Sequence, residues 1–324
     1  MNVRRLIPAT AAAGAVTLGL VTLSACSTSS AADGKNGDGK LKVVASFYPM
    51  QYLAEQIGGD HVTVSSLTKP GVEPHDLELK PRQTAELNEA GCILYLKGVQ
   101  PAVDKAIAQS EAKNKVDAAT LTELEHHGTG GGHSHEGEEA GHDEHEGEGE
   151  AGADPHIWLD PVKYAEVAKG VGTSLEKADP DHAAEYKKNT AALVTKLNGL
   201  NTAYQQGLRT TATKTFITTH SAFGYLAERY GLDQEGIAGL DPESEPSPAR
   251  IKELQTIAKK DKVTTVFFET LASDKTAKTL AEDTGLKTDV LDPLEGITDK
   301  SKGDDYLQVM ESNLAALQKA LGAK

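Results

Sequence analysis

The feature that most constrains the fold is an alternation of short apolar runs with helix-like segments, present twice and divided by one long amphipathic stretch. In the first half, "LKVVASF", "HVTVSSL" and "CILYL" have the β-branched, apolar character of strands. Between and after them lie "PMQYLAEQIGG", "PRQTAELNEAG" and "PAVDKAIAQS", each opened by Pro and the first two closed by Gly, as helices are. The second half repeats the order: "TFITTH", "LDQEGIAG", "VTTVFFET" and "KTDVLDPL" as strands, with "SAFGYLAERYG", "SPARIKELQTIAKK" and "DKTAKTLAEDTG" as helices, and "DDYLQVMESNLAALQKAL" closing the chain. Strand–helix–strand order predicts parallel sheets with helical crossovers.

Between the halves, Asp179 suits an N-cap and Pro180 a first helical position. Tyr186, Leu193, Leu197, Leu200, Tyr204 and Leu208 then recur on one helical face. About 29 residues at about 1.5 Å each predict a rod of roughly 43 Å. The expected fold class is α/β: two parallel-sheet lobes joined by one long backbone helix. The expected divisions are an N-terminal lobe over 41–178, a linking helix over 179–210 and a C-terminal lobe over 211–324.

Residues 1–40 stand outside this pattern. Arg4 and Arg5 precede an apolar stretch that ends in "LSAC", an export signal over 1–26 with a lipobox-like Cys26 as the lipidation site. An ordinary signal peptide cut elsewhere and an uncleaved anchor are the alternatives. Residues 27–40 form a polar tether with a reach of about 20 Å. No later segment has the roughly 18 apolar residues of a membrane span. The expected location is therefore outside the cell membrane, held to its outer face by lipid.

Charge narrows the partners. The chain carries 33 basic and 48 acidic residues, −15 overall. Losing Arg4 and Arg5 with the signal leaves 31 against 48, or −17. Such a surface disfavours nucleic acid and favours a cationic ligand. Cys92, in an apolar run, is expected to be a buried structural thiol.

Six histidines, His126, His127, His133, His135, His142 and His145, sit in a segment over 126–153 that also holds 9 Gly and 8 acidic residues and no Leu, Ile, Val or aromatic. With nothing to bury, this loop is expected to be disordered and to act as auxiliary, weak metal bait. Flexible imidazoles fix no single geometry, so the main site is sought elsewhere. Of the other five histidines, His61 and His182 fall at a strand start and a helix first turn. His75, His156 and His220 fall where strands or the loop end, and in parallel sheets ligands gather at strand ends. Asp292 in "VLDPL" is a fourth candidate in the same kind of position. Three imidazoles and a carboxylate suit tetrahedral zinc. Glu73, Glu245 and Glu269 flank these positions as candidates to orient the imidazoles. Trp158 is expected to pack locally.

The segments "ASFYPMQYLAEQIGGD", "GVEPHDLELKPRQ", "DPHIWLDP", "THSAFGYLAERYGL", "SEPSPARIKEL", "VFFET" and "LDPL" resemble the zinc-uptake substrate-binding lipoproteins of ABC transporters, the ZnuA-like class with a long backbone helix. The resemblance runs through nearly the whole mature chain. It implies two α/β lobes around one helix with a metal site between the lobes, bound Zn2+ as the transported ligand, a membrane permease as partner, and a monomer that is not an enzyme. It implies His75, His156 and His220 as ligands, with Asp292 at a position where many members place an Asp. Manganese-uptake members, the nearest alternative, generally carry a carboxylate where His220 stands. A surface adhesin and a zinc enzyme are more distant readings; no H-E-x-x-H, G-x-S-x-G or phosphate-binding glycine loop is present.

Overall fold

The computed structural model describes residues 34–128 and 153–324. The expected signal segment with Cys26, and His133, His135, His142 and His145, lie outside those residues.

Two four-stranded parallel sheets form. The first is built from β1 (Leu41–Ala45), β2 (Val62–Ser66), β3 (Cys92–Tyr95) and β4 (Lys115–Asp117), in the order β2-β1-β3-β4. The second is built from β5 (Thr215–Thr218), β6 (Asp233–Gly236), β7 (Thr265–Phe268) and β8 (Lys287–Val290), in the order β6-β5-β7-β8. The two orders are the same, so each sheet has one switch point, between its first and third strands, where successive crossovers part to opposite sides. Helices α1 (Tyr48–Gly58), α2 (Pro81–Glu89) and α3 (Pro101–Gln109) serve the first sheet; α6 (Gly224–Tyr230), α7 (Pro248–Lys260) and α8 (Lys275–Thr284) serve the second. Proline occupies the first or second position in α1, α2, α3 and α7, where its fixed φ fits and its missing N–H costs nothing. Ser247 caps α7 by accepting the Arg250 N–H at 3.1 Å.

The link between sheets is a helical hairpin. Helix α4 (Pro161–Ala178) runs into a 3-10 turn over Pro180–His182, and α5 (Ala183–Gly207) returns against it. The predicted rod is thus shorter, 25 residues or about 38 Å, and it begins at Ala183. Asp179 does not cap it. Its buried carboxylate takes Lys35 Nζ at 2.8 Å, His182 Nδ1 at 2.7 Å and the Tyr186 hydroxyl at 2.7 Å, and so staples the turn. His182 is therefore engaged rather than simply solvated. Tyr186, Leu193, Leu197, Leu200 and Tyr204 of α5 are buried as the spacing predicts. Gly172 lets the two helices approach: a Cβ there would stand 2.2 Å from Thr190 Oγ1.

The chain ends in α9 (Tyr306–Leu321), and one apolar core runs through α1, α4, α5 and α9 from the first sheet to the second. Fully burying a large apolar side chain contributes about 1.5–3 kcal/mol, so this shared core ties the lobes far more strongly than a bare rod would. Hydrogen bonds cross it as well: Tyr164 Oη donates to the Pro49 carbonyl at 2.6 Å, and Tyr204 Oη to the Met310 carbonyl at 2.7 Å. Cys92 is fully buried in the same core, and burial pushes its thiol up to about 12. No helix among the described residues is long and apolar enough to cross a membrane.

Candidate metal centre

Four loops bring their side chains to one point between the sheets. The first follows β2. Gly71, at φ 80°, turns the chain, and the Glu73 carboxylate accepts the His75 N–H at 3.0 Å. Gln100 Nε2 donates to the Pro74 carbonyl at 3.1 Å, which pins the same loop. The second carries His156. Asp154 Oδ1 accepts both the His156 backbone N–H at 2.9 Å and its ring Nδ1–H at 2.7 Å. The third places His220 just past β5, its carbonyl held by Thr218 Oγ1 at 2.7 Å. Glu269, just past β7, accepts the His220 Nδ1–H at 2.8 Å and the Thr219 hydroxyl at 2.6 Å.

The fourth loop follows β8 and supplies Glu295, which sequence reasoning missed. Its Oε1 lies 3.2 Å from His75 Nε2, 3.3 Å from His156 Nε2 and 3.4 Å from His220 Nε2. Ligand atoms about 2.0 Å from a tetrahedral zinc stand about 3.3 Å apart. The three separations therefore match three of the six edges of a zinc tetrahedron, those that meet at Glu295 Oε1. The donor atoms form two overlapping clusters, His75–His156–Glu295 and His220–Glu269–Glu295. Two buried atoms, His220 Nε2 and Glu295 Oε2, have no hydrogen-bond partner among the described residues. One carboxylate oxygen cannot satisfy three imidazoles, whereas one cation can.

Burial and charge act against each other here. Burial pushes Glu295 up, but His156, His220 and His75 outweigh it and hold the carboxyl well below its usual range. Burial lowers His220, and Glu269 followed by Glu295 raises it well above the ordinary imidazole value. His156 is raised in the same way by Asp154 and then Glu295. Glu73 is raised by burial and by the Glu295 charge. In each of His156 and His220 a carboxylate holds Nδ1–H, which leaves the Nε2 lone pair to face the centre. His156 and His220 are buried, while the His75 side chain is 12% exposed and marks the side open to solvent.

The expected residues fall out unevenly. His75, His156 and His220 come together. Asp292 does not join them: its Oδ1 accepts the Leu294 N–H at 2.8 Å, and its Oδ2 accepts Ser301 Oγ at 2.9 Å and Thr270 Oγ1 at 3.2 Å. It builds the turn that carries Glu295. Among the three candidate orienting acids, Glu269 touches an imidazole of the cluster, Glu73 holds the His75 backbone, and Glu245 is exposed on the loop before α7. Asp154, also missed, grips His156. Trp158 packs edge-on to Phe47 at 5.0 Å, and its Nε1–H reaches across to the Pro293 carbonyl at 2.7 Å. At the foot of the His-rich segment His126 and His127 are described, and His127 has a fixed place in the fold.

Known proteins share this architecture. The zinc-binding lipoprotein AdcA of Streptococcus pneumoniae is 38% identical over 310 residues, covering 94% of this chain and 60% of AdcA, so the chain spans well under two thirds of that relative's length. The high-affinity zinc uptake system protein ZnuA of Bacillus subtilis is 38% identical over 328 residues, covering 94% of this chain and 98% of that one. A crystal structure of the Zn(II)-bound ZnuA-like domain of S. pneumoniae AdcA superposes with a TM-score of 0.70 at 34% identity, over 87% of this chain and 99% of that one. The family described as the periplasmic component A of the zinc-uptake complex matches residues 43–320, and this chain belongs to that ZnuA family.

Proposed function

We propose that this protein captures one Zn2+ outside the cytoplasm, through His75, His156, His220 and Glu295, and delivers it to an ABC-type membrane permease. The observation that carries the reading is the convergence of three imidazole Nε2 atoms on Glu295 Oε1 at 3.2–3.4 Å, between two lobes. The zinc-binding names of the relatives support the choice of cargo. So does the donor set, since three imidazoles with one carboxylate suit zinc better than the harder manganese. Asp154 and Glu269 orient His156 and His220. The protein acts as a binding component, not an enzyme. A lipid on Cys26 holds a monomer to the outer face of the membrane, and the His-rich loop adds weaker capture sites. Metal analysis of purified wild type beside His220→Ala, with manganese in competition, tests the reading. One tightly held zinc that equimolar manganese does not displace, absent from the variant, is expected. Equal affinity for manganese, or full retention of zinc by His220→Ala, overturns it.

A further inference from the structure

A second cluster of donor atoms lies at the foot of the His-rich segment. Glu125, His127 and Glu228 each offer one ligand atom within 4.8 Å of the others. Sequence alone places His127 among six loose histidines, but the fold takes it out of that group. Its ring lies edge-on to Tyr225 at 4.5 Å and rests on Gly224, where a Cβ would come within 2.4 Å of its Cγ. Its Nδ1–H donates to Asp154 Oδ2 at 2.7 Å, which turns Nε2 outward to 3.0 Å from Glu228 Oε2. The imidazole is thus anchored through Nδ1 by a carboxylate, as His156 is by the other oxygen of the same Asp154.

Glu125 is placed with equal definition, while Glu228 reaches in from the exposed side of α6. Lys163 Nζ holds Glu125 Oε1 at 2.6 Å, and the Glu125 backbone N–H donates to the Tyr225 hydroxyl at 2.8 Å. Glu125 and Glu228 bring carboxylate oxygens within 4.8 Å of each other, and two negative charges that close favour a cation between them. With His127 neutral, as a metal-ligating imidazole must be, Glu125, Glu228 and Asp154 against Lys163 leave two negative charges in excess, which one divalent cation balances.

We propose that Glu125, His127 and Glu228 form a second, fixed site for a borderline divalent cation such as Zn2+, on the solvent side of Asp154. It rests on the zinc-capture reading and extends it. One imidazole and two carboxylates, with His127 15% and Glu228 62% exposed, make a site weaker and more open than the buried one. Because Asp154 joins both rings, the site stands one carboxylate away from His156. Metal gathered outside is thereby brought next to the buried centre.

The test uses the full chain with His126, His133, His135, His142 and His145 changed to Gln, so that the other histidines of the segment are silent. Zinc titration by calorimetry, with cobalt absorption in parallel, should give two equivalents, the second at least tenfold weaker than the first. Glu228→Gln, on an exposed helix position, should abolish the second equivalent and leave the first unchanged. Gly224→Ala, which displaces the His127 ring, should weaken the second equivalent. A single equivalent in the silenced chain, or two undiminished equivalents in Glu228→Gln, overturns the proposal. His220→Ala in the same background reads the buried site separately: it should lose the tight equivalent and keep the weak one, so failure of either site is seen apart from the other.

Discussion

Leu294 donates its backbone N–H to Asp292 Oδ1 at 2.8 Å while adopting a φ of 58°, a left-handed conformation rare for a residue with a branched side chain. That turn follows β8 and delivers Glu295, the next residue, to the three imidazoles. The conformation costs on the order of 1 kcal/mol and persists because Asp292, Asn313 and the burial of Leu294 enforce it. Asp292 and Glu295 therefore have different tasks. Glu295→Gln keeps the shape and removes the anionic donor, so zinc affinity should fall by more than the roughly 10–100-fold typical of a lost orienting partner. Asp292→Asn keeps an acceptor for Leu294 and should cost less affinity than Glu295→Gln. Calorimetric titration ranks the two; the opposite order would return Asp292 to the metal.

Glu269 gives a graded comparison. It touches His220 Nδ1 at 2.8 Å and orients the ring without being needed to complete the tetrahedron. Glu269→Ala should weaken zinc by about 10–100-fold. Glu269→Gln, which still accepts the Nδ1–H through its amide oxygen, should recover part of that loss. Identical affinities for the two variants would mean that charge alone, and not orientation, is at stake.

Acid stability should report on Asp289, whose side chain pairs with lysines and takes no part in the candidate centre. Burial raises its carboxyl, but Lys319 at 2.8 Å and Lys302 at 2.9 Å outweigh burial and hold it at about 2. A carboxyl lower in the folded than in the unfolded chain stabilises the fold above the unfolded value, about 3.9, and that contribution disappears as pH falls through about 2. Lys302 and Lys319 are 48% and 73% exposed to water, so screening reduces the contribution to about 1 kcal/mol. Asp289→Asn should therefore unfold more easily than wild type at pH 7, and the gap should close between about pH 4 and pH 2. Urea melts at the two extremes measure it; a gap that widens in acid would contradict the pairing.

What was legible in the sequence follows from periodicity and punctuation. Six of the eight strands carry two or more β-branched or apolar residues, β4 and β6 ("DQEG") being the exceptions, and Pro and Gly mark most helix ends. Two elements gave no signal. β4 is three residues, "KVD", too short for alternation to register. α4 contains Gly170 and Gly172, which argue against a helix; Gly172 is there because Thr190 of α5 leaves no room for a side chain. At the site, His75, His156 and His220 stood out by residue type and position. Glu295 did not, because the turn that aims it uses a left-handed Leu294 rather than a glycine, and nothing local marks such a residue. Asp292 stood out instead because Asp-Pro after a strand is conspicuous. His127 looked like its five neighbours until Gly224 and Tyr225 gave it a seat.

The last prediction concerns how zinc enters and leaves. A single rod between lobes would already resist a hinge; the observed link resists it more. Trp158 Nε1 donates to the Pro293 carbonyl at 2.7 Å and Tyr306 Oη to the Trp158 carbonyl at 2.5 Å, so the segment that carries His156 is bonded to the second lobe independently of metal. With Tyr164 and Tyr204 bridging the helices, wide opening would break several buried hydrogen bonds and split one apolar core. The adjustable part is then the His75 loop, which turns on Gly71, bears the exposed imidazole, and borders a cavity of about 60 Å³ lined by Thr68, Lys69, Pro70 and Glu295. His156, although beside the His-rich segment, is completely buried, which makes His75 the better candidate for the ligand that moves. Zinc should raise stability by mass action, about 4 kcal/mol at a thousandfold excess over Kd. Hydrogen exchange should slow most at residues 71–78, and the radius of gyration of the loop-deleted protein should hardly change. Small-angle scattering decides it: a large contraction on adding zinc would mean that the lobes close as bodies, and would sink the loop mechanism.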